Sequence, residues 1–266
     1  MIDNHSYWCK QTIEKPLFPE IAWAKPEQRT QAGRLGIIGG NKLGFISVAE
    51  SYETTLKVGA GEVKVLLPNA LKKSMPSTMI NIIYGSSNPS GSLARDSITE
   101  MKALGAWSTG VLMIGDAGRN SETAILYEDF IREYHGPLTI TRDAIDLIKN
   151  SSQTIVERPN TLLIVSFAQL QKLFQAVYYP KVLTFSMQLT NLVEALHKFT
   201  ITYPTNIVVF HRDIMLVASD GEITSTPWTD QMKIWRGKTA SVAAVYWLWN
   251  PAKIIESITA SLVDQV

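Results

Sequence analysis

Three glycine-bearing segments hold the groups in this chain best suited to grip a ligand: Gly39-Gly40-Asn41-Lys42-Leu43-Gly44, Gly115-Asp116-Ala117-Gly118-Arg119-Asn120 and Arg236-Gly237-Lys238-Thr239. Glycine lets a backbone approach a bound molecule closely, and the unpaired N–H groups at a helix start attract an anion. The third segment adds two cations at such a start, so the chemistry it suits is anion binding. The first two have a plainer account as well. Adjacent glycines make tight turns, and short strand-to-helix connections are common. Asp143 stands between a strand-like run and a helical one, where an aspartate either caps the helix or contacts a ligand. Ser166 and Gln169 have the spacing of a capping box.

Several other chemistries are excluded. The glycines do not follow G-x-G-x-x-G, so the dinucleotide fingerprint does not apply. Gly237-Lys238-Thr239 is not a P-loop, because Met232 occupies the required first glycine and no strand leads in. The 4 histidines are scattered, which gives no basis for a Ser-His-Asp triad. No His/Cys/Asp/Glu group has metal-ligand spacing.

The elements that must position these segments alternate. Leu35, Ile37 and Ile38 form a short apolar run ending at Gly39-Gly40, which suits a strand buried on both faces. Phe45, Val48, Ala49, Tyr52 and Leu56 then recur at helical spacing, Gly59-Ala60-Gly61 stops the helix, and Val63 to Leu67 is the next strand. Further strands are expected at 79–84, 111–114, 138–141, 161–165 and 207–210. A hairpin with an Asp220-Gly221 turn follows. Helices are expected after Asn120, Asp143, Ser166 and Gln188, and again after Gly237. Asn250-Pro251 is expected to open the last helix as cap and first-turn proline. Residues 1–32 read as an irregular arm with one short helix, whose Trp8, Phe18 and Trp23 pack on the domain or on another subunit. Residues 33–266 read as one α/β domain.

Composition sets outer bounds. At 266 residues with 45% hydrophobic and 18% charged content, the chain can bury a sizeable single core. Its net charge of +1 gives no electrostatic case for nucleic acid or an anionic membrane. Cys9 is the only cysteine, which excludes an internal disulfide and fits a reducing cytosol. No apolar run follows a basic start or reaches membrane-spanning length. Asn4-His5-Ser6 and Asn150-Ser151-Ser152 are glycosylation acceptors only in a secreted protein.

The stretch GRLGIIGGNKLGFISVAESYETTLKVGAGEVKVLLP, residues 33–68, resembles the opening of the ADP/ATP-dependent NAD(P)H-hydrate dehydratases of the ribokinase-like superfamily, which have GRxxxxGGS, a helix and a GAGxVxV strand. Later segments continue the resemblance in order. GDAGRN stands where the family has a GPGLGR-type loop, TRDAI where it has DADAL, and FHR where it has LKG, with His211 at the lysine. The Asp-Gly hairpin also matches. What the resemblance implies is a three-layer α/β/α sandwich with a mostly parallel sheet. It also implies a lyase that couples ATP or ADP, with Mg2+, to removing water from hydrated NADH or NADPH. Gly39, Gly40, Asn41 and Gly44 would line the substrate side. Gly115, Gly118, Arg119, His211, Gly237, Lys238 and Thr239 would face the nucleotide, and Asp143 and Asp116 would be the remaining catalytic acids. Four motifs depart from the family. Thr141 replaces the first acid of DADAL, Gln169 a glutamate and His211 the lysine. Neither Ala240 nor Ser241 supplies the aspartate of G-[ST]-G-D. The framework is kept while the acids are lost, so the expectation is weak or absent turnover. A non-catalytic nucleotide-binding or protein-binding relative, a homo-oligomer and a small-molecule kinase stay open.

Overall fold

The computed structural model describes residues 6–263, so Asn4 and His5 of the first acceptor motif lie outside the described residues. Ten strands form one sheet: β1 (Trp8–Lys10), β2 (Arg34–Gly39), β3 (Glu62–Pro68), β4 (Ile82–Gly85), β5 (Gly110–Gly115), β6 (Leu138–Thr141), β7 (Thr161–Val165), β8 (Asn206–His211), β9 (Ile214–Ser219) and β10 (Glu222–Pro227). Their order is β1-β10-β9-β8-β7-β6-β5-β2-β3-β4. The run from β8 to β4 is parallel throughout, and β9 is antiparallel to both neighbours. At the far edge β1 pairs with β10 in parallel and stitches the N-terminal residues to the sheet.

The helices are α1 (Pro19–Trp23), α2 (Ile46–Val58), α3 (Ile98–Trp107), α4 (Ser121–Glu133), α5 (Asp143–Leu147), α6 (Ser152–Glu157), α7 (Phe167–Ala176), α8 (Leu189–Thr202), α9 (Gln231–Trp235), α10 (Lys238–Trp249) and α11 (Ile254–Val263). Alternate residues of each strand feed two cores. Val63, Val65 and Leu67 of β3 join α2, α10 and α11 on one face, while Leu66 joins α3, α4, α7 and α8 on the other. This is a three-layer sandwich, and both sheet faces are covered because the parallel strands are apolar throughout.

The local chemistry accounts for most boundaries. Gly59, in the left-handed region at φ 120°, ends α2 and donates its N–H to the Thr55 carbonyl, as the glycines there predict. Ser166 and Gln169 form a complete capping box at the start of α7. Asp220 and Gly221 both have positive φ and make the tight β9–β10 turn. Two expectations are corrected. The strand expected at 79–84 is only β4, because Met79 belongs to a turn with Pro76. Asn250 closes α10 instead of opening α11. Its carbonyl accepts Lys253 N–H, and Pro251 sits in the turn between the helices, where a proline stops one helix as readily as it starts another. In the N-terminal segment Phe18 packs against the cluster of Ile21, Val242, Tyr246 and Ala260, whereas Trp23 is exposed.

Candidate functional site

From β2 the chain moves outward to β3, whereas from β5 it moves the other way, to β6, β7 and β8. The connections therefore diverge at the β2–β5 boundary, and open α/β sheets hold ligands in the crevice beyond such carboxyl ends. The three glycine segments of the sequence converge here. Gly40, at φ 86°, donates its N–H to the Gly115 carbonyl at 2.9 Å, and any side chain at Gly39 would collide with that same carbonyl. Gly237, at φ 80°, caps α10 and lies against Ile114 of β5.

Two residues other than glycine, Asp116 (φ 53°) and Arg142 (φ 57°), hold positive φ on adjacent connections and are ion-paired at 2.6 Å. A left-handed backbone costs such residues roughly 1–3 kcal/mol each, and such outliers cluster at functional sites. The pair sits in a dense network. Asp116 Oδ2 accepts the Ser47 N–H of α2 at 2.8 Å. Arg142 donates to the Trp235 carbonyl, just before α10, and its Cδ lies 3.6 Å from where a Gly237 side chain would begin. Asp143 accepts the backbone N–H groups of Asp116 and Ala117 at 2.8 and 3.0 Å. Gly115 is required there, because a Cβ at φ 92° would run into the Asp143 carboxylate.

Asp143 is thus the first residue of α5, not its cap, and its carboxylate closes the turn after β5. Below it, burial and then the Asp143 charge push the Tyr127 hydroxyl far above the usual phenol range, so it stays protonated. Ser241 donates its hydroxyl to the Gly237 carbonyl at 2.9 Å.

The remaining candidates divide. At α10 the first internal helical bond is made by Ser241 N–H, which leaves the N–H groups of Lys238, Thr239 and Ala240 without helical partners. Thr239 is 1% exposed and its hydroxyl has no partner among the described residues; nor has Arg142 Nε, which is also shielded from solvent. These orphaned donors fit an anion such as a nucleotide phosphate. Arg119 is exposed beside Gly118, and Gly44 opens onto empty space. Asn41 is turned inward. It donates to the Ser90 carbonyl and to Ser92 Oγ and accepts Leu43 N–H, so it ties two loops together.

His211 is 3% exposed and far from that arrangement in character. Its Nε2 lies 3.3 Å from the Met187 carbonyl and its ring packs on Phe167, so it belongs to an aromatic cluster. Burial lowers its pKa, the Met187 hydrogen bond opposes that shift, and neighbouring Arg212 adds to it. No group of three or more His, Cys, Asp or Glu residues among the described residues could hold a metal ion. Asp116 and Asp143 are both engaged, each carboxylate oxygen with one partner. Sequence reasoning missed Ser47, Trp235 and above all Arg142, whose only signal was its place beside Asp143. No described helix is long and apolar enough to cross a membrane.

No family model and no curated protein matches the chain. Solved structures do. A ribokinase-like superfamily protein from Enterococcus faecalis superposes with a TM-score of 0.73 at 14% identity, over 97% of this chain and 86% of that one. The ADP/ATP-dependent NAD(P)H-hydrate dehydratase from Bacillus subtilis, co-crystallized with ATP/Mg2+, gives 0.57 at 10% identity over 91% and 83%. Phosphomethylpyrimidine kinase from Clostridium difficile gives 0.55 at 8% identity over 88% and 100%. The fold is that of ribokinase-like proteins.

Proposed function

We propose that this chain is a divergent relative of the NAD(P)H-hydrate dehydratases that binds a nucleotide at the carboxyl edge of the sheet and has little or no turnover. One observation carries this: every oxygen of Asp116 and Asp143 already holds a hydrogen bond or ion pair. Dehydration and phosphoryl transfer both need a group in the cleft that can take or give a proton, and general acid–base catalysis contributes about 10²–10⁴-fold. Protonating either aspartate would weaken the turn or the ion pair that shapes the cleft. Ala240 and Ser241 stand where the resemblance puts the aspartate. The same observation counts against the small-molecule kinase reading.

Binding is supported by what remains. Lys238, the N–H groups of α10, the Thr239 hydroxyl and Arg142 Nε are donors or cations, and ATP or ADP phosphates are the ligands the resemblance implies. Calorimetry with ATP, ADP and AMP tests this. Lys238→Glu and Arg142→Ala should each weaken binding about tenfold, the effect of roughly 1.4 kcal/mol. Absence of any binding by the native chain at millimolar nucleotide overturns the proposal. Incubation with hydrated NADH and ATP or ADP should recover no NADH absorbance. Turnover on the order of 1–10³ s⁻¹ would restore the dehydratase reading.

A specific feature favours the protein-binding reading as the second choice. Leu43 and Ile46 on one side of the cleft, and Met232 and Trp235 on the other, are 56–88% exposed. Such apolar rims mark interaction surfaces. A second copy of this chain is the simplest occupant, and a dimer that Trp235→Glu dissociates in light scattering is its expected signature.

A further inference from the structure

On the face of the sheet away from α10, the connection from β6 to β7 is broken into short pieces. α5 has 5 residues, a 3-10 turn covers Lys149–Ser151, and α6 has 6, whereas the flanking α4 and α7 have 13 and 10. Two single turns cannot fill the space between two full helices, and a cavity of about 860 Å³ opens there. That size is within the range of small-molecule sites. Its floor includes the buried side chains of Leu147, Ile148, Ile155 and Leu173.

The lining is mostly apolar, but it also carries polar groups that the fold does not use. α4 turns Ser121, Ala124, Ile125 and Glu128 to the cavity at helical spacing. Glu128 Oε1 is shielded from solvent and has no hydrogen-bond partner among the described residues. A buried carboxylate oxygen without a donor is costly, and each such group calls for a partner. At the rims stand Arg119 before α4 and Lys149 in the 3-10 turn, and neither side chain has an ion-pair or hydrogen-bond partner among the described residues. Lys172 differs, since it faces Asp146 at 3.6 Å.

We infer that this cavity binds a purine nucleoside monophosphate whose base offers adjacent N–H donors, the guanine type. The ring lies on the apolar floor, Glu128 accepts from the base edge, and the phosphate meets Lys149 and Arg119. Arg119 precedes the first turn of α4 and Glu128 lies two turns along it, so a cation and a carboxylate stand at different points of one cavity wall. Carboxylates recognise paired donors bidentately, and guanine presents N1–H beside its amino group where adenine presents a single donor next to an acceptor. The cavity reaches Asp143 and Gln169 of the cleft described above but includes no residue of α10, so variants at Glu128 and Lys238 tell the two ends apart.

The test is calorimetry of the full chain with GMP, AMP and inorganic phosphate. GMP should bind at micromolar concentration and AMP at least tenfold more weakly. Glu128→Gln should erase that preference, and Lys149→Glu should weaken both nucleotides about tenfold. Ile125→Trp, which fills the mouth from a half-exposed position, should block GMP while leaving the thermal midpoint unchanged, and so guards against misreading an unfolded variant. No GMP binding at millimolar concentration overturns the inference. So does GMP binding that survives Glu128→Gln and Ile125→Trp but is lost in Lys238→Glu, because the nucleotide would then sit at α10.

Discussion

The carboxyl edge of the sheet has two halves that treat polar residues in opposite ways. Beyond β5 and β6, Asp116, Arg142 and Asp143 are held half-buried, two of them at positive φ, in a network that reaches α2, α9 and α10. Beyond β7 and β8, the polar residues serve the scaffold. Ser166 and Gln169 cap α7, and His211 is packed against Phe167. The first half joins its charges in one network, and the second meets its polar groups by local hydrogen bonds and burial, although Arg212 beyond β8 also has positive φ, at 54°. The nucleotide-binding reading proposed above draws on this contrast.

The contrast is broken most directly at Asp143. Asp143→Ala removes a carboxylate that accepts two backbone N–H groups and leaves both inside a tight turn. Hydrogen bonds to charged groups contribute about 1.5–3 kcal/mol each, so a loss of roughly 3 kcal/mol of stability is expected. In a chain of this size that lowers the thermal midpoint by about 6–12 °C. Urea denaturation with unchanged m-value checks that the loss is in stability alone. A midpoint within 2 °C of the parent chain, about the effect of half a kilocalorie, would mean that the network is decorative.

Gln169→Ala probes the seam between the halves. Its side chain caps α7 and also donates to the Arg142 carbonyl at 2.8 Å and to Asp146 at 3.0 Å. Loss of a cap costs about 1 kcal/mol. The expected drop of about 2–4 °C is smaller than for Asp143→Ala. Nucleotide affinity measured on the same variant sharpens the comparison. Little change places Gln169 with the scaffolding half, and a tenfold loss would place it with the binding half through Arg142.

What could be read from the sequence follows from how local each interaction is. The capping box spans four residues, the Asp220-Gly221 turn two, and the Gly59 helix stop one turn, so each was legible and each is present. The α/β alternation and the mostly parallel sheet were legible from apolar runs alone. Asp143 was read as a cap or a ligand contact because those are local options. Its partners lie 27 and 26 residues away and become visible only when β5 and β6 are neighbours. Arg142 carried no pattern at all, since its role depends on Asp116 and on Trp235, 93 residues on. Asn250-Pro251 misled because proline is favoured both just inside a helix start and just past a helix end.

The smallest expected effect tests the scaffolding half at His211. Burial is the main cause of its lowered pKa, so the folded protein disfavours the imidazolium. An unfolded chain restores a value near 6.5. Below that pH the unfolded state therefore binds more protons at this site than the folded state. The stability His211 contributes as a neutral ring is complete above about pH 6.5 and declines as pH falls toward the lowered folded value. His211→Phe keeps an aromatic ring against Phe167 but cannot titrate, so it should flatten the fall of the thermal midpoint between about pH 6.5 and pH 5. It should leave the midpoint at pH 8 nearly unchanged, because the hydrogen bond given up at Met187 is long at 3.3 Å. A phosphate-facing histidine would behave the other way. Its protonated form would be stabilised by the ligand, nucleotide binding would tighten as pH falls, and His211→Phe would weaken it. Affinity for ATP measured at pH 6 and pH 8 in both proteins separates the two, and equal affinities in parent and variant at each pH are expected of a ring enclosed by aromatic neighbours.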